Sequence, residues 1–331
     1  MNAPGVTMHH VAKAAGVSVS TVSRVLSNGK YVREDTKLKV QKVISELGFQ
    51  PNRLAQGLRP GQTTAAIALV IEDIANPFSS AIAHGVEEAT RQHKHLLVVG
   101  ATERSFELQS ELMREMVRRR VDGMLVMPAA GDHSALHAEL IQWAPMVFID
   151  RPPRGIDADV VLLDNRGGAR QAVRHLFDSG HHRIGYVGGA TSVPTGSRRL
   201  SGYRQAFKDQ GRTVDPTLIT LDHHDAESAR DAAVALLASA SPPTAIFADN
   251  NRMSVGVLKA AHESEQAIDV AGFDDLELAE LLSVPVALVT YDAVDLGRRA
   301  AELLFARIGG DSAQPRRITL PTSLVVHPGM R

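Results

Sequence analysis

The sequence predicts a mixed α/β chain in two parts, an all-α head and a two-lobed core of parallel sheets. Three observations predict it. Residues 7 to 27 carry two short helical patterns separated by one glycine. Residues 1 to 60 carry nine Lys and Arg against three acids, a net +6, while the remainder sums to −7, so a near-neutral chain is a basic head on an acidic body. From residue 65 onward, short apolar runs alternate with helical stretches in two consecutive series. At 331 residues the chain exceeds what one core usually supports.

The head comes first. Val11, Ala12 and Ala15 make one apolar stripe at helical spacing, and Gly16 supplies the left-handed residue that closes a first short helix. Val17 points inward at that turn. Ser18 is a good N-cap for a second helix through Leu26, whose Val22, Val25 and Leu26 face the first. This leaves Val19, Ser20 and Arg24 on the outer face, where the second helix of a helix-turn-helix reads base edges in the major groove. Thr36 to Leu47 forms a third helix with a core stripe at Val40, Val43, Ile44 and Leu47, and Gly48 ends it. The first domain is therefore 1–50.

Residues 7 to 27 resemble the LacI/GalR family of bacterial transcriptional repressors, in Thr7, Val11, Ala12, Ala15, Gly16, Val17, Ser18, Thr21, Val22, Ser23, Arg24, Val25 and Leu26. His10 stands where the family usually has Asp, Ser27 precedes Asn28, and Arg33 replaces a small N-cap before the third helix. The resemblance implies DNA contacts at Val19, Ser20, Thr21, Ser23, Arg24 and Thr36. Residues 51–64 resemble the family's hinge, which adds Asn52, Arg53, Ala55 and Leu58 to the contacts. Leu54, Ala55 and Leu58 share one face, but a helix of about seven residues is well short of the roughly 12 to 15 that are marginal in water. It is expected to be ordered only when docked; without the resemblance, a plain linker ending at Pro60 and Gly61 is an equal reading.

In the core, apolar runs at 66–71, 96–99, 123–127 and 146–150 form the first series. Those at 160–163, 184–187, 218–219, 245–248 and 270–273 form the second. Buried strands alternating with helices mean parallel sheets covered on both faces. The core 65–331 resembles the family's periplasmic-binding-protein-like fold. That implies a first lobe of about 65–161 and 291–320 and a second of about 162–290 and 321–331. Chain crossings are then expected near 161–163, 289–292 and 320–323, with a ligand at the carboxyl ends of the strands.

Matched one at a time, the resemblance implies ligand contacts at Phe78, Asp150, Arg151, Arg199, Asn250 and Asp274. His224 and Tyr291 stand where relatives often carry an aromatic platform and a Gln. Arg suits bidentate hydroxyl or carboxylate recognition, and Asp, Asn and Arg around an aromatic wall suit a sugar. Each position also reads as a strand-end or helix-cap residue, Asn250 and Asp274 above all.

Other classes leave weaker traces. No Gly-x-Gly-x-x-Gly follows a strand, and neither a phosphate loop nor Gly-x-Ser-x-Gly is present. Without Cys there is no disulfide framework or thiolate, and the pairs at His181 and His223 lack a third spaced metal ligand. No transmembrane stretch and no apolar leader run occur, so a cytoplasmic, nucleoid-associated protein is expected. The expectation is a non-enzymatic, homodimeric regulator, a repressor. Its partners would be palindromic double-stranded operator DNA and a small-molecule effector, a carbohydrate, with no cofactor, metal or membrane. The alternatives are a periplasmic-type sugar-binding protein, which would lack the basic head, and a Rossmann-like enzyme.

Overall fold

A computed structural model describes residues 6–26, 32–49, 64–264, 268–282 and 284–328. The chain forms two compact units, residues 1–64 and 65–331.

In the first unit, α1 (Met8–Ala15), α2 (Val19–Leu26) and α3 (Glu34–Leu47) pack Val11, Ala15, Val22 and Val40 into a core with no exposed surface. Gly16 sits at φ 63° and ψ 37°, the left-handed C-cap the turn requires. The Ser18 hydroxyl accepts from the Thr21 amide at 3.1 Å as the cap of α2. His10, in place of the usual carboxylate, accepts the Thr7 amide on Nδ1 at 3.2 Å, so the imidazole takes over the capping role. Two expectations change. The third helix starts at Glu34 rather than Thr36, after Arg33 in extended conformation. Leu47 is exposed, and Phe49, just past the Gly48 turn, fills the place Leu47 was expected to fill. The expected hinge at 51–64 lies, but for Thr64, outside the described residues.

The second unit holds two six-stranded sheets. The first has the order β11-β5-β4-β3-β1-β2, with β1 (Ala66–Ile71), β2 (Leu96–Ala101), β3 (Gly123–Val126), β4 (Met146–Asp150), β5 (Val160–Leu163) and β11 (Arg317–Leu320), all parallel. The second has the order β12-β10-β9-β8-β6-β7, with β6 (Ile184–Val187), β7 (Ile219–Thr220), β8 (Ala245–Ala248), β9 (Asp269–Phe273), β10 (Val286–Thr290) and an antiparallel edge β12 (Ser323–His327).

The strands are apolar on both faces because helices cover both. In β1, Ile67, Leu69 and Ile71 face α4 (Pro77–Gln92) and α11 (Ala293–Ile308). Ala68 and Val70 face the layer of α5 (Phe106–Arg118) and α6 (Ser134–Leu140). The second sheet does the same between α7 (Asn165–Asp178) and α8 (Pro194–Asp209) on one face and α9 (Ala226–Leu237) and α10 (Asn251–Glu263) on the other. Each fully buried Leu, Ile or Phe contributes about 1.5–3 kcal/mol. Gly85 of α4 and Gly297 of α11 allow those helices nearly backbone contact: a Cβ on Gly85 would lie 1.9 Å from the Val294 carbonyl oxygen.

One boundary moves. Strand β5 pairs with β4 and β11 of the first sheet, so the first crossing follows Leu163, at the end of the expected 161–163, and the second lobe begins with α7 rather than at about 162. The other two crossings fall between Thr290 and Ala293 and between Leu320 and Ser323, as expected.

Candidate interlobe ligand site

In each sheet the strand order reverses once, between β1 and β3 and between β6 and β8. Loops leaving neighbouring strands on either side of such a reversal diverge and open a crevice at their carboxyl ends. Both crevices face one cavity of about 290 Å³. Its first-lobe wall carries Glu72, Asn76, Phe78, Met127 and Ala129, and its second-lobe wall carries Gly189, Asp249, Asn250 and Asn251.

Of the eight ligand contacts expected from sequence, Phe78, Asp150, Arg151, Arg199, His224, Asn250 and Asp274 line this cavity. Tyr291 does not. It lines an apolar groove of about 1310 Å³ with Leu258, Leu276 and Leu282, its ring meets that of Phe78 edge-on at 5.7 Å, and its hydroxyl donates to Asp274 Oδ1 at 2.5 Å. Burial pushes the Tyr291 phenol well above its ordinary range, with the Asp274 charge adding to it, so it stays a donor.

Asp150 ends β4 and Asp274 follows β9, one in each lobe, and both adopt left-handed backbone, at φ 72° and 73°. Non-glycine residues seldom hold that conformation without cause, and here it turns two carboxylates toward one space. Their surroundings differ. Asp274 is occupied: Oδ1 takes the Tyr291 hydroxyl and lies 3.5 Å from Arg199, and Oδ2 takes the Asn251 amide at 3.1 Å. Asp150 Oδ2 accepts from Arg151 Nε at 3.1 Å, but its buried Oδ1 has no hydrogen-bond partner among the described residues. Burial raises the Asp150 carboxyl above its usual range, against the pull of Arg151 and Arg199.

Arg151 also donates to Glu72 at 2.7 Å, and Arg104 donates to the other Glu72 oxygen at 2.7 Å. Burial works to raise Glu72, but the two arginines outweigh it and hold the carboxyl below its ordinary value. Arg199 is spent on the fold. It donates to Asn165 at 2.7 Å and to the Asp249 carbonyl at 2.6 Å, and its guanidinium lies 3.8 Å from the Phe273 ring centre. Asn250 is likewise a cap: its Oδ1 accepts the Arg252 and Met253 amides at 3.0 and 3.1 Å, and its Nδ2 donates to Asp249. The alternative left open for Asn250 is the one its bonds support.

Several lining residues escaped the sequence reading. Glu72 and Thr102 follow strands directly, and their position at a strand end was the available signal. Arg104 gave none, since it reaches Glu72 across 32 positions. His223, not only His224, faces the cavity. Its buried Nε2 has no hydrogen-bond partner among the described residues, and burial depresses its pKa and so favours the neutral ring, able to accept or donate one hydrogen bond. Four acids (Glu72, Asp150, Asp249, Asp274) and four arginines (Arg104, Arg151, Arg199, Arg252) balance the lining. Such a site favours a neutral ligand rich in hydroxyls, with Phe78 as its one aromatic wall. Among the described residues no group of three His, Asp or Glu could hold a metal ion, and no helix is long and apolar enough to cross a membrane.

In the head, Ser20 and Arg24 are exposed on α2, as expected of a reading face, while Thr21, Ser23 and Thr36 are half-buried. Val19 departs from expectation. It packs against the head core beside Val22, so its side chain is shared between that core and the surface. The Ser20 and Thr21 hydroxyls both bond Ser18 Oγ, at 2.7 and 2.8 Å. Asn52, Arg53, Ala55 and Leu58 lie outside the described residues.

A family model described as "Bacterial regulatory proteins, lacI family" matches residues 7–52, and one described as a periplasmic binding protein-like domain matches residues 173–327. The Escherichia coli (strain K12) ribose operon repressor is 32% identical over 96% of this chain and 98% of its own. The Salmonella typhimurium transcriptional regulator GalS is 32% identical over 92% and 91%. Among solved structures, a lac repressor dimer bound to operator and an anti-inducer has 26% identity and a TM-score of 0.88, covering 99% and 100%. A complex of the transcriptional regulator CelR with cellobiose has 31% identity and a TM-score of 0.73, covering 98% and 100%.

Proposed function

This chain belongs to the lacI family of bacterial regulatory proteins, and from that premise we propose that it is a homodimeric repressor whose grip on a palindromic operator is set by a small neutral sugar in the interlobe cleft. The observation that carries the reading is the cavity between the strand ends of the two lobes, lined by Asp150 and His223, whose buried Oδ1 and Nε2 have no hydrogen-bond partner among the described residues. Leaving a buried polar group unpaired costs about 1–3 kcal/mol, which a ligand hydroxyl recovers.

Size narrows the ligand. At about 290 Å³ the cavity stands at the small end of ligand pockets, which span about 300–1,000 Å³, so a monosaccharide suits it better than a disaccharide. One relative is named for a ribose operon and a solved relative is a complex with cellobiose, so the choice of sugar rests on this cavity.

Phe78, Asn76 and Asp150 bind from one lobe and Asn251 and His223 from the other, so ligand favours the closed arrangement of the lobes. Closure then alters how the paired heads meet the operator, and ligand and DNA affinities are coupled reciprocally. The chain's curated relatives are repressors, and we read the cleft as a binding site rather than a catalytic one. The protein works in the cytoplasm, on the nucleoid.

A thermal-shift screen of pentoses, hexoses and disaccharides tests the ligand reading. A ligand at 100 times its Kd adds about 2.7 kcal/mol. Stabilisation by a monosaccharide, lost in Asp150→Asn, is expected; a response to disaccharides alone overturns it.

A further inference from the structure

Two helices begin at the cleft from opposite lobes, α4 after Asn76 and α10 after Asn250. Their starts are joined across the lobe boundary. Asn251 Nδ2 donates to Asn76 Oδ1 at 3.0 Å, and Arg252 forms an ion pair with Asp73. Arg104 adds a third link, donating to the His224 carbonyl at 3.1 Å. Asp73 lines neither the cavity nor the apolar groove, whereas Arg252 lines both, so Asp73 is the half of the pair that a cleft ligand does not touch.

Each partner is also fixed on its own lobe. Asp73 Oδ1 accepts the Ala75 amide at 2.8 Å, while the Arg252 amide is held by Asn250 at 3.0 Å and Asn76 Oδ1 by the Phe78 amide at 3.0 Å. Because both backbones are already fixed, forming the pair costs only the rotamer freedom of the two side chains. The covalent links between the lobes are only the three crossings, so opening the core must break all three contacts.

We propose that Asp73 and Arg252 form a latch that holds the two lobes together whether or not effector is present. The pair thereby sets the closed-to-open ratio of the core and the part of the conformational response left for an effector to drive. A strong latch makes a core that binds its ligand tightly but changes shape little, since a ligand shifts only what is not already shifted. The regulatory consequence rests on the cleft being the effector site. The latch itself does not, and its test uses neither operator nor effector, so the two can fail separately.

The chain has no cysteine, so labels go where they are placed. Gln142→Cys and Ala240→Cys put spin labels on exposed turns of the first and second lobes, and electron–electron distances are measured in full-length chain diluted with unlabelled chain. Asp73→Asn keeps the acceptor for Ala75 while removing the charge, and Arg252→Gln keeps the helix start. Each single variant is expected to lower the closed-to-open ratio about three- to fivefold, and the double variant no further. Wild-type distances in both single variants overturn the latch. So does a double variant whose effect is the product of the two, because the residues would then act apart.

Discussion

Replacing Arg199 by Ala tests whether this arginine supports the fold, as its contacts indicate, or clamps ligand, as its sequence position suggested. The side chain is 8% exposed. Ala removes two charged hydrogen bonds, to Asn165 and the Asp249 carbonyl, and the stacking on Phe273. It also leaves the buried Asp274 carboxylate without its cation at 3.5 Å. Charged hydrogen bonds contribute about 1.5–3 kcal/mol each, and removing one partner of a buried ion pair costs about 3–5 kcal/mol. These effects overlap, so about 3–5 kcal/mol is expected for the whole. For a core of this size, at roughly 2–4 °C per kcal/mol, that corresponds to a fall in Tm of about 10 °C. Urea unfolding followed by circular dichroism at pH 7, without ligand, measures it. Arg199→Lys should fall between, since an ammonium cannot span the same fork of partners. If Arg199→Ala unfolds within about 1 kcal/mol of wild type, the arginine is dispensable to the fold, and the argument that its hydrogen bonds are spent on structure is refuted.

Glu72→Gln should lower unfolding free energy by about 1–3 kcal/mol at pH 7 by weakening two charge-assisted bonds. Because the folded Glu72 pKa lies below its ordinary 4.5, its contribution is full above that value and is lost as pH falls through the folded pKa; the gap between variant and wild type, read by urea unfolding across pH, should therefore close below about pH 4.5. Gly85→Ala should cost about 1–3 kcal/mol by forcing α4 from α11, which the melting temperature reports; an unchanged Tm would mean the helices separate freely. Arg24→Ala should relax preference at one base pair and weaken operator binding by about 1–3 kcal/mol, whereas Lys37→Ala should leave preference intact; binding-site selection on both variants decides it, and an unchanged consensus for Arg24→Ala would make Arg24 a phosphate anchor.

The head was legible because its instructions are local. Gly16 at positive φ and Ser18 as cap act within four residues, and the apolar stripe of α1 and α2 fixes the packing. The edges of α3 were less so. Leu47 fits the helical period, but the chain reverses at Gly48 and brings Phe49 into the same space, which no period encodes. Strand β5 shows the limit in the core. A four-residue apolar run is equally suited to either sheet, and its pairing with β11, more than 150 residues away, placed it in the first. The family resemblance placed Phe78, Asp150 and Asp274 on the cavity, which fits parallel sheets opening at their carboxyl ends. Which of them has free hydrogen-bonding capacity was not readable. Tyr291 satisfies Asp274 from behind, Arg199 is consumed by Asn165 and Asp249, and the Glu72, Arg104 and Arg151 cluster joins three separate loops.

The central claim, that a ligand in this cleft governs sequence-specific DNA binding, is tested most directly by one titration. The full chain is titrated onto a palindromic site obtained by binding-site selection, at fixed salt, across concentrations of the monosaccharide that stabilises it. Saturating sugar is predicted to change operator Kd by about 5- to 150-fold, with the half-effect concentration rising about tenfold or more in Asp150→Asn. An operator Kd that stays constant while the sugar saturates its site would contradict the account.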